Sequence, residues 1–287
     1  MLHRQYDSYM ACDADYRDAD IVMFGAPFDS TTSNRPGARF GPRAIRQESF
    51  GLETYSPWLD KDLTDYAIFD AGDLELPFGD SEQTMALIRE QTAAILKDGK
   101  RPLMLGGEHS LTLGAVQAAL EQYPQLHLIH FDAHTDLREE YLGVRYSHAS
   151  VIRRCWDLMG DGRIAQFGIR SGERSEFAWA KEHTHLRPFD FTGLEDVMAA
   201  WNKDGKPIYF TLDLDVLDPG FFPGTGTPEA GGVSFKELMK ALQLVMTGNV
   251  VACDVMELAP GLDMSGVSTA TACKVVREML LLWSASK

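Results

Sequence analysis

Asp132, His134 and Asp136 stand at alternate positions directly after the apolar run Leu126-His127-Leu128-Ile129-His130-Phe131. In an extended chain, side chains two apart point the same way, so two carboxylates and an imidazole converge on one point. Packed together without a cation they would repel and be costly to desolvate, and a divalent metal relieves both. Asp213 and Asp215 repeat the pattern after Ile208–Leu212, and His109 follows Gly106-Gly107-Glu108 after the run Pro102–Leu105. Six donors exceed the four that satisfy a structural zinc, but they fit two metals sharing bridging carboxylates. Four aspartates bring four negative charges and two divalent ions bring four positive, so such a site neutralises itself. Oxygen-rich ligation without thiolates suits manganese. Two such ions about 3.5–4 Å apart can hold a bridging water and deliver hydroxide near neutral pH, which is hydrolytic chemistry. Asp218, ahead of Pro219, reads as a turn former and stays outside the site. Gly106-Gly107 could also open a phosphate cradle, but the Lys-Ser/Thr pair of that motif does not follow.

The elements that must position these donors are short β-rich runs alternating with amphipathic ones. Strands are predicted at Ile21–Phe24, Tyr66–Phe69, Pro102–Leu105, Leu126–Phe131, Ile164–Ile169, Leu186–Phe189, Ile208–Leu212 and Val250–Val255. One helix should begin after Asp80, present Met85, Ile88, Thr92 and Ile95 on one face, and stop at Gly99. Others should span about Ser234 to Met246 and Ser268 to Trp283. Strand–helix alternation means a parallel sheet covered on both faces. With no linker-like stretch, residues 1–287 read as one domain. Ligands of such folds bind at the carboxyl ends of the strands, where each candidate donor falls.

The formal net charge of −15 argues against nucleic-acid or anionic-membrane partners and is compatible with a small cationic substrate. Four scattered cysteines without a C-x-x-C pair suggest a reduced, cytoplasmic protein. No basic segment followed by an apolar run opens the chain, so no signal peptide is expected, and no stretch reaches the length of a membrane span.

Gly107-Glu108-His109-Ser110, Asp132-Ala133-His134-Thr135-Asp136 and Asp213-Leu214-Asp215-Val216-Leu217-Asp218-Pro219 resemble, in order, the three metal motifs of the ureohydrolases, the family of arginases and agmatinases. The resemblance covers nearly the whole chain. It implies a three-layer α/β/α fold with an eight-stranded, mostly parallel sheet of the arginase/deacetylase type, and two Mn2+ per subunit. By the same resemblance His109 and Asp136 would bind the first manganese, His134 and Asp215 the second, and Asp132 and Asp213 would bridge both. Asp136 would also orient the bridging hydroxide. Glu257, in Asp254-Val255-Met256-Glu257, matches the glutamate that pairs with the substrate guanidinium, a planar group suited to two parallel hydrogen bonds. His148 matches the family's proton-shuttling histidine, although Ala149 stands where the family usually has glycine.

The segments Gly25-Ala26-Pro27-Phe28-Asp29, Asn34 to Arg46 and Gly224-Thr225-Gly226-Thr227-Pro228-Glu229 look like the agmatinase branch, which implies that Thr227 meets the substrate. Taken locally, ordinary turn chemistry explains their Gly and Pro equally well. Arginases carry an asparagine two positions after the last aspartate of the Asp-x-His-x-Asp motif, where it helps read the amino acid's carboxylate; Arg138 stands there instead. The resemblance therefore implies agmatine as substrate, hydrolysed to putrescine and urea. Guanidinobutyrate, arginine or formimidoylglutamate are the alternatives within the family. A one-zinc deacetylase-like hydrolase would need neither His109 nor Asp136, and a catalytically silent metal-binding homologue would be expected to have lost donors. The family's trimers and hexamers imply a homo-oligomer.

Overall fold

A computed structural model describes residues 8–284. The first seven residues, on which the reading of no signal peptide partly rests, and the last three of the single-domain span lie outside the described residues. The strands are β1 (Ile21–Ala26), β2 (Tyr55–Ser56), β3 (Lys61–Asp62), β4 (Ile68–Asp73), β5 (Arg101–Gly106), β6 (His127–Phe131), β7 (Ile164–Ile169), β8 (His185–Pro188), β9 (Pro207–Asp213) and β10 (Asn249–Met256). The α-helices are α1 (Gly41–Ser49), α2 (Ser81–Lys97), α3 (Thr112–Gln122), α4 (Val151–Met159), α5 (Arg174–His183), α6 (Leu194–Lys203), α7 (Phe235–Val245) and α8 (Val267–Ser284).

Eight strands form one sheet in the order β4-β1-β5-β10-β9-β6-β7-β8, and every pairing in it is parallel. All eight predicted strands are present in it. The antiparallel pair β2–β3 stands apart from it. Alternating side chains of the strands feed two cores. Ile21 and Met23 of β1 join Ile45, Met198, Leu238 and Val276 from α1, α6, α7 and α8 on one face. Val22 and Phe24 join Ile88, Val116, Ile152 and Ala180 from α2, α3, α4 and α5 on the other. This is the expected three-layer α/β/α arrangement. Apolar side chains on both faces explain why the strands read as nearly continuous apolar runs. No described helix is long and apolar enough to cross a membrane.

Local signals set the boundaries. Asp80 caps α2 by accepting from the Gln83 N–H, 2.9 Å away. At its other end Gly99, with φ of 72°, lets Gly99 N–H reach Leu96 O and Lys100 N–H reach Ile95 O, the paired bonds of a left-handed helix stop. Ser234 and Glu237 form a reciprocal capping box at α7. The segment from Gly41, where turn chemistry alone was an adequate local account, is instead helix α1: Pro42 occupies its first turn, where the missing N–H costs nothing.

The order of strands sets up the site. The chain winds from β1 to one edge, returns through β5, crosses to β6 and the other edge, and fills the gap last with β9 and β10. The carboxyl ends of β5, β10, β9 and β6 are therefore neighbours, about 4.8 Å apart from strand to strand, at the switch of winding direction. Gly107 makes the turn after β5 possible. Its N–H bonds to Ala26 O at 3.0 Å, and a Cβ added there would collide with the Phe28 carbonyl. Gly107→Ala should therefore push the His109 turn away from β1 and lower stability by about 1–3 kcal/mol, the usual cost of overpacking; a thermal midpoint equal to wild type would contradict this.

Candidate metal centre

Each adjacent strand end delivers donors. His109 opens a 3-10 turn after β5, Asp132, His134 and Asp136 follow β6, Asp213 ends β9 with Asp215 in the next turn, and Glu257 follows β10. Asp136 and Glu257 both hold positive φ, 51° and 68°, in the left-handed region that non-glycine residues rarely occupy. At Asp136 the strain is offset by two N–H groups of the α4 first turn, Ile152 and Arg153, each 3.1 Å from its carbonyl. At Glu257 it is offset by its N–H on Gly107 O at 2.9 Å and by His109 N–H donating to its Oε1 at 2.8 Å.

The structure brings the six candidate donors together. His109 Nδ1 lies 3.0 Å from Asp132 Oδ2, 3.2 Å from Asp213 Oδ2 and 3.4 Å from Asp136 Oδ2. His134 Nδ1 lies 3.0 Å from Asp215 Oδ2 and 3.3 Å from Asp132 Oδ1. Asp132 therefore belongs to both groups, one oxygen to each. Donor atoms about 3 Å apart match a shared ion with bonds of roughly 2.1 Å at right angles. Buried His109 Nδ1 and Asp215 Oδ2 have no hydrogen-bond partner among the described residues, although carboxylate or imidazole atoms face them. They fit a metal better than one another.

Electrostatics says the same. Burial, then the charge of Asp132 or Asp215, pushes Asp136 and Asp213 well above the usual carboxylate range. Burial disfavours charged His109 and His134, yet Asp132 with Asp213 or Asp215 holds both well above the usual imidazole value. Divalent cations held between these groups would relieve the same repulsion.

Around the donors lies a ring of buried polar groups that sequence reasoning passed over. His130 Nε2 is 2.8 Å from Asp132 Oδ2. Gln166 Nε2 donates to Thr135 O at 2.8 Å and lies 3.1 Å from His130 Nδ1. The amide nitrogen makes Nδ1 the acceptor, so Nε2 carries the proton and His130 supports Asp132 without being a metal donor. Its place two residues before Asp132, on the same side of the strand, was the available clue. Thr211 Oγ1 lies 2.8 Å from His109 Nε2 and donates to buried Asp254 at 2.6 Å. Glu108, also buried, accepts from Thr31 N–H at 2.8 Å, Thr31 Oγ1 at 2.6 Å and Ser110 Oγ at 2.5 Å.

A cleft of about 280 Å³ opens over the donors, its walls including Ser33, Arg138, Tyr141, His148, Glu173 and Thr227. Glu257 also lines it; burial first, then the charge of Glu108, pushes its carboxyl up to about 8. His148 sits at the start of α4. Thr31 Oγ1 accepts its backbone N–H at 3.1 Å and lies 3.3 Å from Nδ1, and Ser33 Oγ lies 3.3 Å from Nε2. Burial, then the nearby His134, lowers its pKa to about 4, so the ring is neutral near pH 7. The Arg138 guanidinium turns to Glu173, 3.0 Å away, and covers the Tyr141 ring at 4.4 Å. The two Gly/Pro-rich segments meet at the mouth: Arg35 donates to Thr225 O at 2.9 Å and Gly226 O at 3.3 Å, and Asn34 to Gly226 O at 3.0 Å. Asp218 accepts from Gly220, Gly231 and Gly232 N–H groups and is a turn anchor.

An imidazole–carboxylate cluster at the switch point of a parallel α/β/α sheet is the arrangement of a metal-centred hydrolytic site. Residues 19–282 match the arginase family, and the chain belongs to that family. It is most like agmatinases. It is 45% identical over 277 residues to an agmatinase of Bacillus subtilis (strain 168), covering 95% of both chains. A solved structure of a candidate agmatinase from Clostridium difficile superposes with a TM-score of 0.91 at 50% identity, covering 94% of this chain and 99% of that one. The human mitochondrial guanidino acid hydrolase is 35% identical, covering 91% of this chain and 77% of that one.

Asp132 offers an oxygen to each group, so Asp132→Ala should remove nearly all bound metal, not half of it. Elemental analysis of the purified variant after manganese loading checks this; a retained full complement would refute a shared donor.

Proposed function

We propose that this chain hydrolyses the guanidinium group of agmatine, releasing urea and putrescine, with two manganese ions held by His109, Asp132, His134, Asp136, Asp213 and Asp215. The observation that carries the reading is that five of the six donors and the Glu257 carboxylate line one cleft, with the sixth, Asp132, against His109 and His134. When bound, the two ions supply Lewis acidity and the means to ionise a water near neutral pH. The chain's own groups do the rest. Glu257, fixed by the His109 N–H, receives the planar guanidinium, whose positive charge favours the ionised carboxylate. Asp136, held by the α4 first turn, orients the attacking water. The water oxygen adds to the guanidinium carbon, the bond from that carbon to the alkyl-bearing nitrogen breaks, and that nitrogen leaves with a proton. Neutral His148, tied to Thr31 and Ser33 at the cleft wall, passes protons between the pocket and solvent.

Charge at the mouth supports a cationic tail. Arg138 is countered by Glu173 and, 3.8 Å away, by Glu176, so the three together carry net negative charge. A guanidino acid would meet that excess unfavourably, whereas the free ammonium of agmatine would meet it well. The four described cysteines are buried and free, in keeping with a reducing cytoplasm.

A urea assay with agmatine and arginine side by side, with and without added manganese, tests the proposal; it fails if arginine is the better substrate or if manganese makes no difference. Two variants probe individual roles. His148→Ala should keep its metal and lose about 10²-fold or more in turnover, the usual share of a proton-transfer group; loss of metal instead would contradict the role. Glu173→Gln should raise KM for agmatine about two- to fivefold, the scale of an exposed charge pair, and improve hydrolysis of 4-guanidinobutyrate. Unchanged selectivity between the two substrates would count against the mouth charge.

A further inference from the structure

We propose that Asp254, acting through Thr211, is a positioning residue of the metal centre: it locks His109 with Nδ1 unprotonated toward the donor cluster, and its buried charge is balanced by the cation held there. This rests on the reading of a metal centre at His109.

Asp254 lies inside β10 and is fully buried. Its Oδ1 accepts from Thr211 Oγ1 at 2.6 Å, and its Oδ2 from Tyr209 OH at 2.6 Å and Thr112 Oγ1 at 2.8 Å. Among the described residues every one of these partners is a neutral hydroxyl. A buried carboxylate without a positive partner is costly. The nearest candidate for balance lies one link away, where His109 Nε2 is 2.8 Å from the same Thr211 oxygen.

The direction of the chain follows from donor counts. An ionised carboxylate only accepts, so the single Thr211 proton must point to Asp254. The Thr211 oxygen then accepts, and His109 Nε2 must donate to it. With a metal bound the His109 imidazole is neutral and carries that one N–H, so Nδ1 keeps its lone pair, directed at Asp132, Asp136 and Asp213. That is the form a metal ligand requires, and orienters of this kind tune affinity in metal sites. A neutral group in place of Asp254 could let the chain reverse. Thr211 would then donate to Nε2, and the proton would move to Nδ1, the face meant for the metal.

The test uses the full chain, stripped of metal and then titrated with Mn2+ against a chelator of known affinity. Asp254→Asn removes the charge, and Thr211→Val removes the bridging hydroxyl while keeping the side chain's shape. Both should weaken binding of one ion by about 10–100-fold. The double variant should bind no more weakly than Thr211→Val alone, since the two residues act in series. Thermal midpoints give a second readout. Manganese should raise the midpoint of Asp254→Asn, loaded against stripped, by less than it raises that of wild type. A residue needed only for packing would lower both midpoints together. That result, or Mn2+ affinity equal to wild type in both variants, overturns the proposal. Wild type that binds no Mn2+ overturns the metal-centre reading itself, and this inference with it.

Discussion

Four aspartate carboxylates enclosed in one crevice cannot all stay ionised without a compensating cation. Around that repulsion the rest of the architecture makes sense. The carboxylates come from two strand ends and the facing imidazole from a third. The order β5-β10-β9-β6 brings those ends together. Burial raises the local stakes, because the same low polarity that penalises unpaired charge strengthens attraction to a bound ion. The positive φ values of Asp136 and Glu257 then read as strain tolerated where backbone must turn sharply to aim a carboxylate, with neighbouring N–H groups holding each turn.

The metal loop and the pocket mouth share their supports. Glu176 accepts from Thr135 Oγ1 at 2.7 Å, Leu137 N–H at 3.1 Å and Glu173 N–H at 2.7 Å, joining the Asp132–Asp136 loop to the start of α5. Thr135 N–H also bonds to Ser171 O at 3.0 Å. Glu108 performs a parallel task on the other wall, tying the His109 turn to Thr31 and, through it, to His148. Groups with quite different proposed roles are thus held against the donor cluster by a few buried carboxylates.

Much of this was legible in the chain. The period of two after an apolar run singled out Asp132, His134 and Asp136, although β6 ends at Phe131 and Asp136, at positive φ, is aimed by a turn and not by strand alternation. Apolar content on both faces marked the eight sheet strands. That His109 and Asp213 share a site was inferred from their common place at strand carboxyl ends, but which strands are neighbours was not readable from residue chemistry. Thr211 and Asp254 were absorbed into predicted strands. A polar side chain inside a strand buried on both faces was the overlooked sign, because it must find a partner there. The segment from Gly41 was locally ambiguous, since glycine and proline serve a helix's first turn as readily as a loop. Arg138 lines the cleft, but its engagement by Glu173 depends on the approach of α5, some distance along the chain.

Arg35 joins the two segments of the mouth by donating to the carbonyls of Thr225 and Gly226. Backbone carbonyls are present whatever side chain follows them, so the bond to Thr225 does not depend on that side chain, whereas a Cβ on Gly226 would meet the Arg35 carbonyl at 2.8 Å and force the two segments apart. The outline of the entrance is thereby set by backbone contacts between two distant segments, while side chains such as Ser33, Arg138 and Thr227 supply its chemical lining.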